Sequence, residues 1–296
     1  MGKEKIEVSI IIINYNTREL TKNCIESIFC RTQKKYFEVI VIDNASTDGS
    51  YDALSTLEFQ NYRYIHNEKN VGFSRANNKA ALSASGEYLF FMNSDMIFVN
   101  DVVSCLVEKI HHHPAIGIIG PRFLNPDGTL QISCRNFPGI FFGLIKFFPF
   151  LKKKLSDKKL DYYQAQRDYS IEQTVDTVSA GALMISRKLF RDIGGFDEFS
   201  FMYAEDADIC RQVRDRGFKV VYDPFATLIH FGGQSSKLNS YKAVWSYYFA
   251  FYHLYKKYYF GRVAILIKPA FFLRAVIGVM GNYFKKDKRV TWNNKS

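Results

Sequence analysis

No pair among the five cysteines of this 296-residue chain is spaced as Cys-x-x-Cys. Cys24, Cys30, Cys105, Cys134 and Cys210 are scattered and odd in number, which argues against a disulfide framework or a zinc site and fits a reducing compartment. No Gly-x-Gly-x-x-Gly turn follows the first apolar run, where Asn14-Tyr15-Asn16-Thr17 stand instead, and this argues against a dinucleotide oxidoreductase. No late apolar run reaches the ~20 residues of a spanning helix, because 269–284 is too short and is interrupted by Arg274. Nothing at the start reads as a signal peptide, since Met1 to Glu7 is charged and the run from Val8 is brief. The expectation is a cytoplasmic protein, peripheral at the inner face of the cell membrane. Acids are scarce in the tail: from Lys256 to Ser296 there are ten Lys/Arg against one acid, Asp287, so +9 of the net +11 lies there. A basic tail beside aromatic segments suits an anionic membrane surface, and no nucleic-acid motif accompanies it. No internal repeat is evident.

What is present is an ordinary apolar content of 47% with a high aromatic share of 16%. VSIIIIN (8–14) is a continuous β-branched run, the pattern of a strand buried on both faces. Helical spacing follows over 17–30, with Leu20, Cys24, Ile25 and Ile28 facing inward. Further strands are expected at 37–42, 62–67 and 88–92, with a helix at 74–83 between the last two. After Pro121 the pattern loosens, with a turn at Asn125-Pro126-Asp127-Gly128 and a Lys-rich aromatic stretch beyond it. Buried character returns over 174–186, then a helix at 206–216, a strand at 218–222 and an aromatic helix at 241–259. Strands alternating with helices imply an α/β fold with a mainly parallel sheet, and ligands in such sheets bind beyond the carboxyl ends of the strands.

Polar residues stand at those ends. Asp95, in Asn93-Ser94-Asp95, can reach a divalent ion bridging two phosphates; alternatively the three residues build a turn or cap the helix from Asp101. Asp43 can accept from the N–H of a pyrimidine base, with Asn44 and Asp48 shaping the loop, though Asn and Asp are also routine turn formers. Asn70-Val71-Gly72-Phe73-Ser74 and Asn77-Asn78 form a compact loop whose amides, helped by Arg75, can hold phosphate; a helix start capped by Ser74 explains the same composition. Glu205, Asp206 and Asp208 occupy a helix's first turn, where the macrodipole favours negative charge. That role suffices for Asp208, whereas Asp206, if it faces the crevice, can take a proton from an attacking hydroxyl. His230 follows a strand-like run and precedes Gly232-Gly233, as a structural histidine or as a second metal ligand. His111 to His113 stand before Pro114 at a helix end, which argues against a metal cluster.

Together these residues resemble the inverting nucleotide-sugar glycosyltransferases of family 2, with the GT-A fold, and in particular the bacterial rhamnosyltransferase-like branch that builds surface polysaccharides. The motifs are VSIIIINYN (8–16), VIDNASTDGS (41–50), NVGFSRANN (70–78), FMNSD (91–95), GGFDEFSFMYAEDADICRQVRDRGFKVVY (194–222) and LIHFGGQS (228–235), and they cover roughly 6–260. The resemblance implies that Asn16, Asp43, Asn44, Asn70, Gly72, Arg75, Asn77, Asn93 and Ser94 bind the nucleotide sugar. It implies Asp95 and His230 as ligands of Mg²⁺ or Mn²⁺, Asp206 as general base and Glu205 as an assisting contact. The first acid of the family's Asp-x-Asp motif is Asn93 here, which removes one charge from the metal shell.

The resulting expectation is a GT-A domain over 1–240, with an acceptor-side insertion at 137–170, followed by a basic aromatic helical region at 241–296. The activity it implies is transfer of a sugar, rhamnose favoured, from a dTDP- or UDP-linked donor to a saccharide or polyprenyl-linked acceptor. The alternative is a non-catalytic, membrane-docked binding protein descended from such an enzyme. Pro269 is expected to break the tail into two helical pieces, either an interfacial hairpin with Trp245, Phe271 and Phe272 entering lipid, or a cap on the domain.

Overall fold

The computed structural model of the chain describes residues 6–33, 36–139, 167–199, 201–232 and 240–293. Contacts divide the chain into two compact units, the first Met1–Phe137, Asp161–Glu198 and Glu205–Gln234, the second Pro138–Leu160, Phe199–Ala204 and Ser235–Ser296. Most of the expected insertion at 137–170 lies outside the described residues.

In the first unit the β-branched runs become adjacent inner strands. β1 (Val8–Asn14) and β2 (Phe37–Asp43) pair in parallel, β3 (Tyr62–His66) continues beside β2, and β4 (Tyr88–Asn93) lies on the other side of β1. Alternate residues of each strand feed opposite faces. Ile10, Ile12, Val39, Val41, Phe90 and Met92 pack on one face with Cys24, Ile25 and Ile28 of α1 (Arg18–Arg31). Thr21 joins that buried helical face, and Leu20 stays only partly covered. Ile11, Ile40, Ile42, Leu89 and Phe91 pack on the other face with Ala76 and Ala80. Each fully buried aliphatic side chain contributes roughly 1.5–3 kcal/mol, so covering both faces dominates the unit's stability. A short helix, α2 (Ser50–Leu54), follows β2, and α3 (Phe73–Ser83) leads into β4.

The remaining strands extend the sheet. β5 (Met96–Phe98) is followed by α4 (Val102–His112), which Asp101 caps by accepting the Ser104 N–H at 3.0 Å. His112 ends that helix, and no group of three or more metal-capable side chains occurs among the described residues. β6 (Ile116–Leu124), β7 (Leu130–Gln131), β8 (Cys134–Arg135), β9 (Gln173–Thr174), β10 (Thr177–Val178) and β11 (Ala182–Ser186) precede α5 (Arg187–Asp192). α6 (Glu205–Asp215) and β12 (Lys219–His230) complete the unit. The main sheet runs β3-β2-β1-β4-β11-β6-β12-β5, with β7 on β6 and β9 on β12. β11 is antiparallel to both β4 and β6, so β6 and β12 run in the same direction as the first four strands. Pro121, beyond which sequence patterning weakens, lies inside β6 opposite Asp223, beside a shift in the β6–β12 register.

At the amino ends of the strands a buried carboxylate has a purely structural environment. Glu38 accepts from Ser9 Oγ and Ser85 N, both at 2.6 Å, and from Arg63 Nη2 at 2.7 Å. Gly86 is required beside it, because a Cβ there would stand 2.4 Å from the Ser9 backbone nitrogen.

The second unit pairs two helices. α7 (Ser240–Tyr255) runs through a π turn (Lys256–Phe260) and a 3₁₀ segment (Gly261–Leu266) into α8 (Lys268–Asn293). The break therefore falls at 256–267, and Pro269 sits in the first turn of α8, where its missing N–H costs nothing. Phe271 is buried against Tyr252 and Tyr255, with ring centroids at 5.4 and 6.2 Å, so this expected lipid contact is instead part of the helix–helix core. Trp245 packs against Phe249 and Phe272. Gly278 lets the helices approach, since a Cβ there would meet Val244 at 2.9 Å. Among the described residues no helix is long and apolar enough to cross a membrane.

Candidate active site

Parallel register brings Asn14, Asp43 and His66 side by side at the carboxyl ends of β1, β2 and β3. Asp43 is fully buried. Its Oδ1 accepts from Asn14 Nδ2 at 2.6 Å and Ser46 Oγ at 2.5 Å, and its Oδ2 accepts from Ser46 N and faces His66 Nδ1, each at 3.0 Å. A carboxylate offers about four lone-pair sites, and all are engaged here. Asp43 therefore organises the loop in this conformation, and a base N–H reaches it only if Ser46 or His66 turns away. Asn16 lies over the same loop, its Oδ1 accepting the Thr47 N–H at 2.7 Å. Asp48 caps the loop: burial alone would raise its pKa, but bonds from Ser50 and the Arg18 N–H hold it below the usual carboxylate value. With the folded pKa depressed, this contribution to stability is present above the ordinary Asp pKa and is lost as pH falls through the folded one.

The asparagines sort by burial. Asn44 is buried, donating to Gly72 O at 3.2 Å and accepting from Asn67 at 2.9 Å, so it anchors the glycine loop to β2. Asn70 closes that loop by accepting the Gly72 N–H at 3.0 Å. Gly72, at φ +87°, precedes α3 without a side-chain cap. The Ser74 hydroxyl is buried without a hydrogen-bond partner, so the expected Ser74 cap is not formed: the helix begins at Phe73, two residues earlier than that cap requires. Asn77 is buried and donates back to Phe73 O at 3.2 Å, within its own helix. Arg75 is largely exposed and pairs with Glu198 at 3.4 Å, away from the loop amides.

At the end of β4 a second group forms. Asn93 N donates to Gly181 O at 2.8 Å, which brings the Ser179–Gly181 turn against the strand end. The hydroxyl of Ser94 lies 2.8 Å from that of Thr17, which donates in turn to Asn14 Oδ1 at 2.9 Å. Buried hydroxyls thus join the loop after β1 to the loop after β4. Asp95 precedes β5, and antiparallel pairing of β5 with β12 sets His230 opposite Met96. His230 Nε2 then lies 3.3 Å from Asp95 Oδ1, within ion-pair reach but outside hydrogen-bond geometry, and the atom is buried without a hydrogen-bond partner. Nearby Cys24 is kept a neutral thiol, its pKa pushed far up by burial first and by the Asp95 charge second.

The acids of α6 separate. Asp208 is buried and accepts from Gln212 at 2.8 Å, a helix-stabilising role. Asp206 Oδ2 lies 3.4 Å from Arg135 Nη1, while its Oδ1 takes the Ala207 N–H at 2.8 Å. Before them Tyr203 and Ala204 have φ of +77° and +64°. Asn16 and Ala45, in the loops after β1 and β2, share this left-handed conformation, as does Asn61 before β3. Each costs of order 1–3 kcal/mol, and such strain clusters at functional sites.

Gln131, Arg135 and the Ser179–Gly181 turn carry no signal in the sequence pattern. They lie on two-residue strands and turns, too short for periodicity to mark.

Residues 9–194 match the Glycosyl transferase family 2 profile. The N-acetylglucosaminyl-diphospho-decaprenol L-rhamnosyltransferase of Mycobacterium tuberculosis is 26% identical over 243 residues, 77% of this chain and 76% of that protein. The low-salt glycan biosynthesis hexosyltransferase Agl10 of Haloferax volcanii is also 26% identical, over 76% of this chain and 67% of the relative. The O-antigen biosynthesis protein RfbC of Myxococcus xanthus is 26% identical over 79% of this chain, which spans only 18% of that protein. Among solved structures, the mannosyltransferase PcManGT of Pyrobaculum calidifontis, in complex with GDP-Man and Mn²⁺, superposes with a TM-score of 0.59 at 16% identity, covering 92% of this chain and 70% of that one. GalNAc-T7, solved with UDP, GalNAc and Mn²⁺, gives 0.59 at 17% identity over 77% of this chain and 44% of its own. These two likenesses show the fold, which is GT-A. With the family profile matched over 9–194, the chain belongs to glycosyl transferase family 2 and is a glycosyltransferase of glycan or polysaccharide biosynthesis.

Proposed function

We propose that the chain transfers a sugar, rhamnose first among the candidates, with inversion from a dTDP- or UDP-linked donor to a hydroxyl of a saccharide or polyprenyl-linked saccharide. The observation that carries the chemistry is the pair formed by Asp95 and the partnerless His230 Nε2. A carboxylate oxygen facing an imidazole nitrogen in a buried spot would suit a divalent cation, Mg²⁺ or Mn²⁺, with Asp95 and His230 as the residues that would hold it. When bound, such a cation stabilises the charge that develops on the departing diphosphate. Asn93 supplies a neutral oxygen beside them. Asn16 and the Asn70–Gly72 loop bound the nucleotide, with Asp43, Asn44 and Asn77 as the framework behind it. Asp206 takes the proton of the attacking hydroxyl, and the Arg135 guanidinium, 3.4 Å from its Oδ2, orients that carboxylate. Glu205 borders the acceptor side.

The expected result of screening dTDP-, UDP- and GDP-sugars with Mn²⁺ is donor hydrolysis, and transfer once a lipid-linked saccharide is added, strongest with dTDP-rhamnose. Turnover confined to another donor would overturn the rhamnosyl assignment and leave the family unaffected.

The second unit supports a membrane-facing role. On α8 the positions buried against α7 include Phe271 and Ala275, whereas Leu273, Ile277 and Met280 are exposed on another side, continued by Ile265 and Leu266. The same segment carries the +9 tail. An apolar helix face flanked by Lys and Arg suits an anionic bilayer. Vesicles containing phosphatidylglycerol should cosediment with the protein and neutral ones should not. Leu273→Asp with Ile277→Asp should weaken binding at least about tenfold; unchanged binding would remove the membrane assignment.

A further inference from the structure

The turn Asn125-Pro126-Asp127-Gly128 has no part in the chemistry above, yet it begins a chain of fixed amides that ends on His230. Gly128, at φ +81°, closes the turn, and Asp127 Oδ1 accepts the Thr129 N–H at 3.0 Å and hydroxyl at 2.6 Å. Asn125 Nδ2 then donates to Thr129 Oγ1 at 2.9 Å and to the Leu130 carbonyl at 3.4 Å. A carbonyl accepts only, so the Asn125 amide has one orientation, with Oδ1 turned toward Gln131. Gln131 Nε2 donates to that Oδ1 at 2.9 Å and to the His230 carbonyl at 3.2 Å, which fixes the Gln131 amide in its turn. Its Oε1 is left facing His230 Nδ1 in a short contact. An amide oxygen cannot donate, so Nδ1 carries the proton and the lone pair of the neutral ring is on Nε2, the atom 3.3 Å from Asp95.

We infer that Gln131 is a positioning residue: it holds His230 in the Nδ1–H tautomer and thereby sets the affinity of the Asp95–His230 pair for a divalent cation. Histidines that bind metals commonly donate their other ring N–H to such a partner, and loss of the partner lowers affinity by roughly 10–100-fold. The inference rests on the reading of Asp95 and His230 as cation ligands. It gives Gln131, four residues before Arg135 on the same segment, a role parallel to that of Arg135 toward Asp206.

Two readouts on the full chain test it. In metal-free protein, long-range ¹H–¹⁵N correlation of His230 should show the Nδ1–H tautomer, and Gln131→Leu should lose that preference. Mn²⁺ binding, followed by electron paramagnetic resonance alone and with UDP or dTDP, should weaken about 10–100-fold in Gln131→Leu. Leucine keeps most of the bulk of glutamine but offers Nδ1–H no acceptor, so weaker binding in Gln131→Leu is a change that a space-filling role would not produce. Wild-type Mn²⁺ binding that His230→Ala abolishes but Gln131→Leu leaves intact would overturn the inference alone. Binding indifferent to His230→Ala would overturn the cation site itself, while the tautomer measurement still reports on the Gln131 contact. Should Gln131→Leu fail to fold, Asn125→Ala, which frees the Gln131 amide to turn, carries the same expectation of weaker Mn²⁺ binding.

Discussion

Asp206→Asn is expected to lower sugar transfer by about 10²–10⁴-fold while nucleotide affinity stays near that of the parent. Asparagine has almost the same shape, and its amide oxygen can still accept the Ala207 N–H that Asp206 Oδ1 takes at 2.8 Å. It cannot accept a proton at neutral pH, so the attacking hydroxyl would lose its base as the new bond forms. The Arg135 guanidinium, 3.4 Å from Oδ2, would then face an amide instead of a carboxylate. That lost ion pair is partly buried, and breaking it costs about 1–3 kcal/mol of local stability, so a melting curve belongs beside the rates. Initial rates with donor and acceptor, together with calorimetric binding of UDP and dTDP, separate the two effects. Near-normal turnover would assign proton removal to another group.

Asp95→Ala should cost at least about a hundredfold in transfer, together with loss of Mn²⁺ binding. Asp95 supplies the anionic member of the pair with His230, and Asn93 brings no charge to replace it. Asp95 is also nearly buried, with its backbone carbonyl accepting the Phe231 N–H at 3.0 Å, so the loop keeps its main-chain bond when the side chain is removed. The measurement is Mn²⁺ titration by electron paramagnetic resonance with UDP or dTDP present, set against turnover at saturating Mn²⁺. Intact Mn²⁺ binding in the variant would place the cation elsewhere.

These two positions show how differently the parts of the site are legible in the chain. Asp206 stands in the first turn of a helix whose spacing and acidic start are local features, and the sequence marks that helix to within a residue. Asp95 is likewise marked by the apolar strand before it. The relation of Asp95 to His230 is not, because it depends on β5, three residues long, pairing antiparallel with the far end of β12. No periodic pattern can announce so short a strand. Arg75 and Asn77 group with the phosphate loop by proximity in sequence, but helix geometry turns Arg75 toward Glu198 and Asn77 into the core. Asp43 is marked as polar after a strand, and only the packing of Asn14, Ser46 and His66 around it shows that its lone pairs are already engaged.

Residue order alone was enough for the inner parallel strands, their succession along the chain, the family and the polar residues at the strand ends. Scarcity of acid after Lys256 likewise marks the tail as basic from composition. These depend on neighbours within a few turns of chain, where hydrophobic spacing and turn residues carry the information. Which polar residues are walls and which remain available was decided by tertiary packing, because that depends on hydrogen bonds between segments far apart in the chain. Packing also placed Phe271 inside the helix pair and left Leu273 and Ile277 outside, a choice made by the rotation of α8 on α7 and invisible in composition.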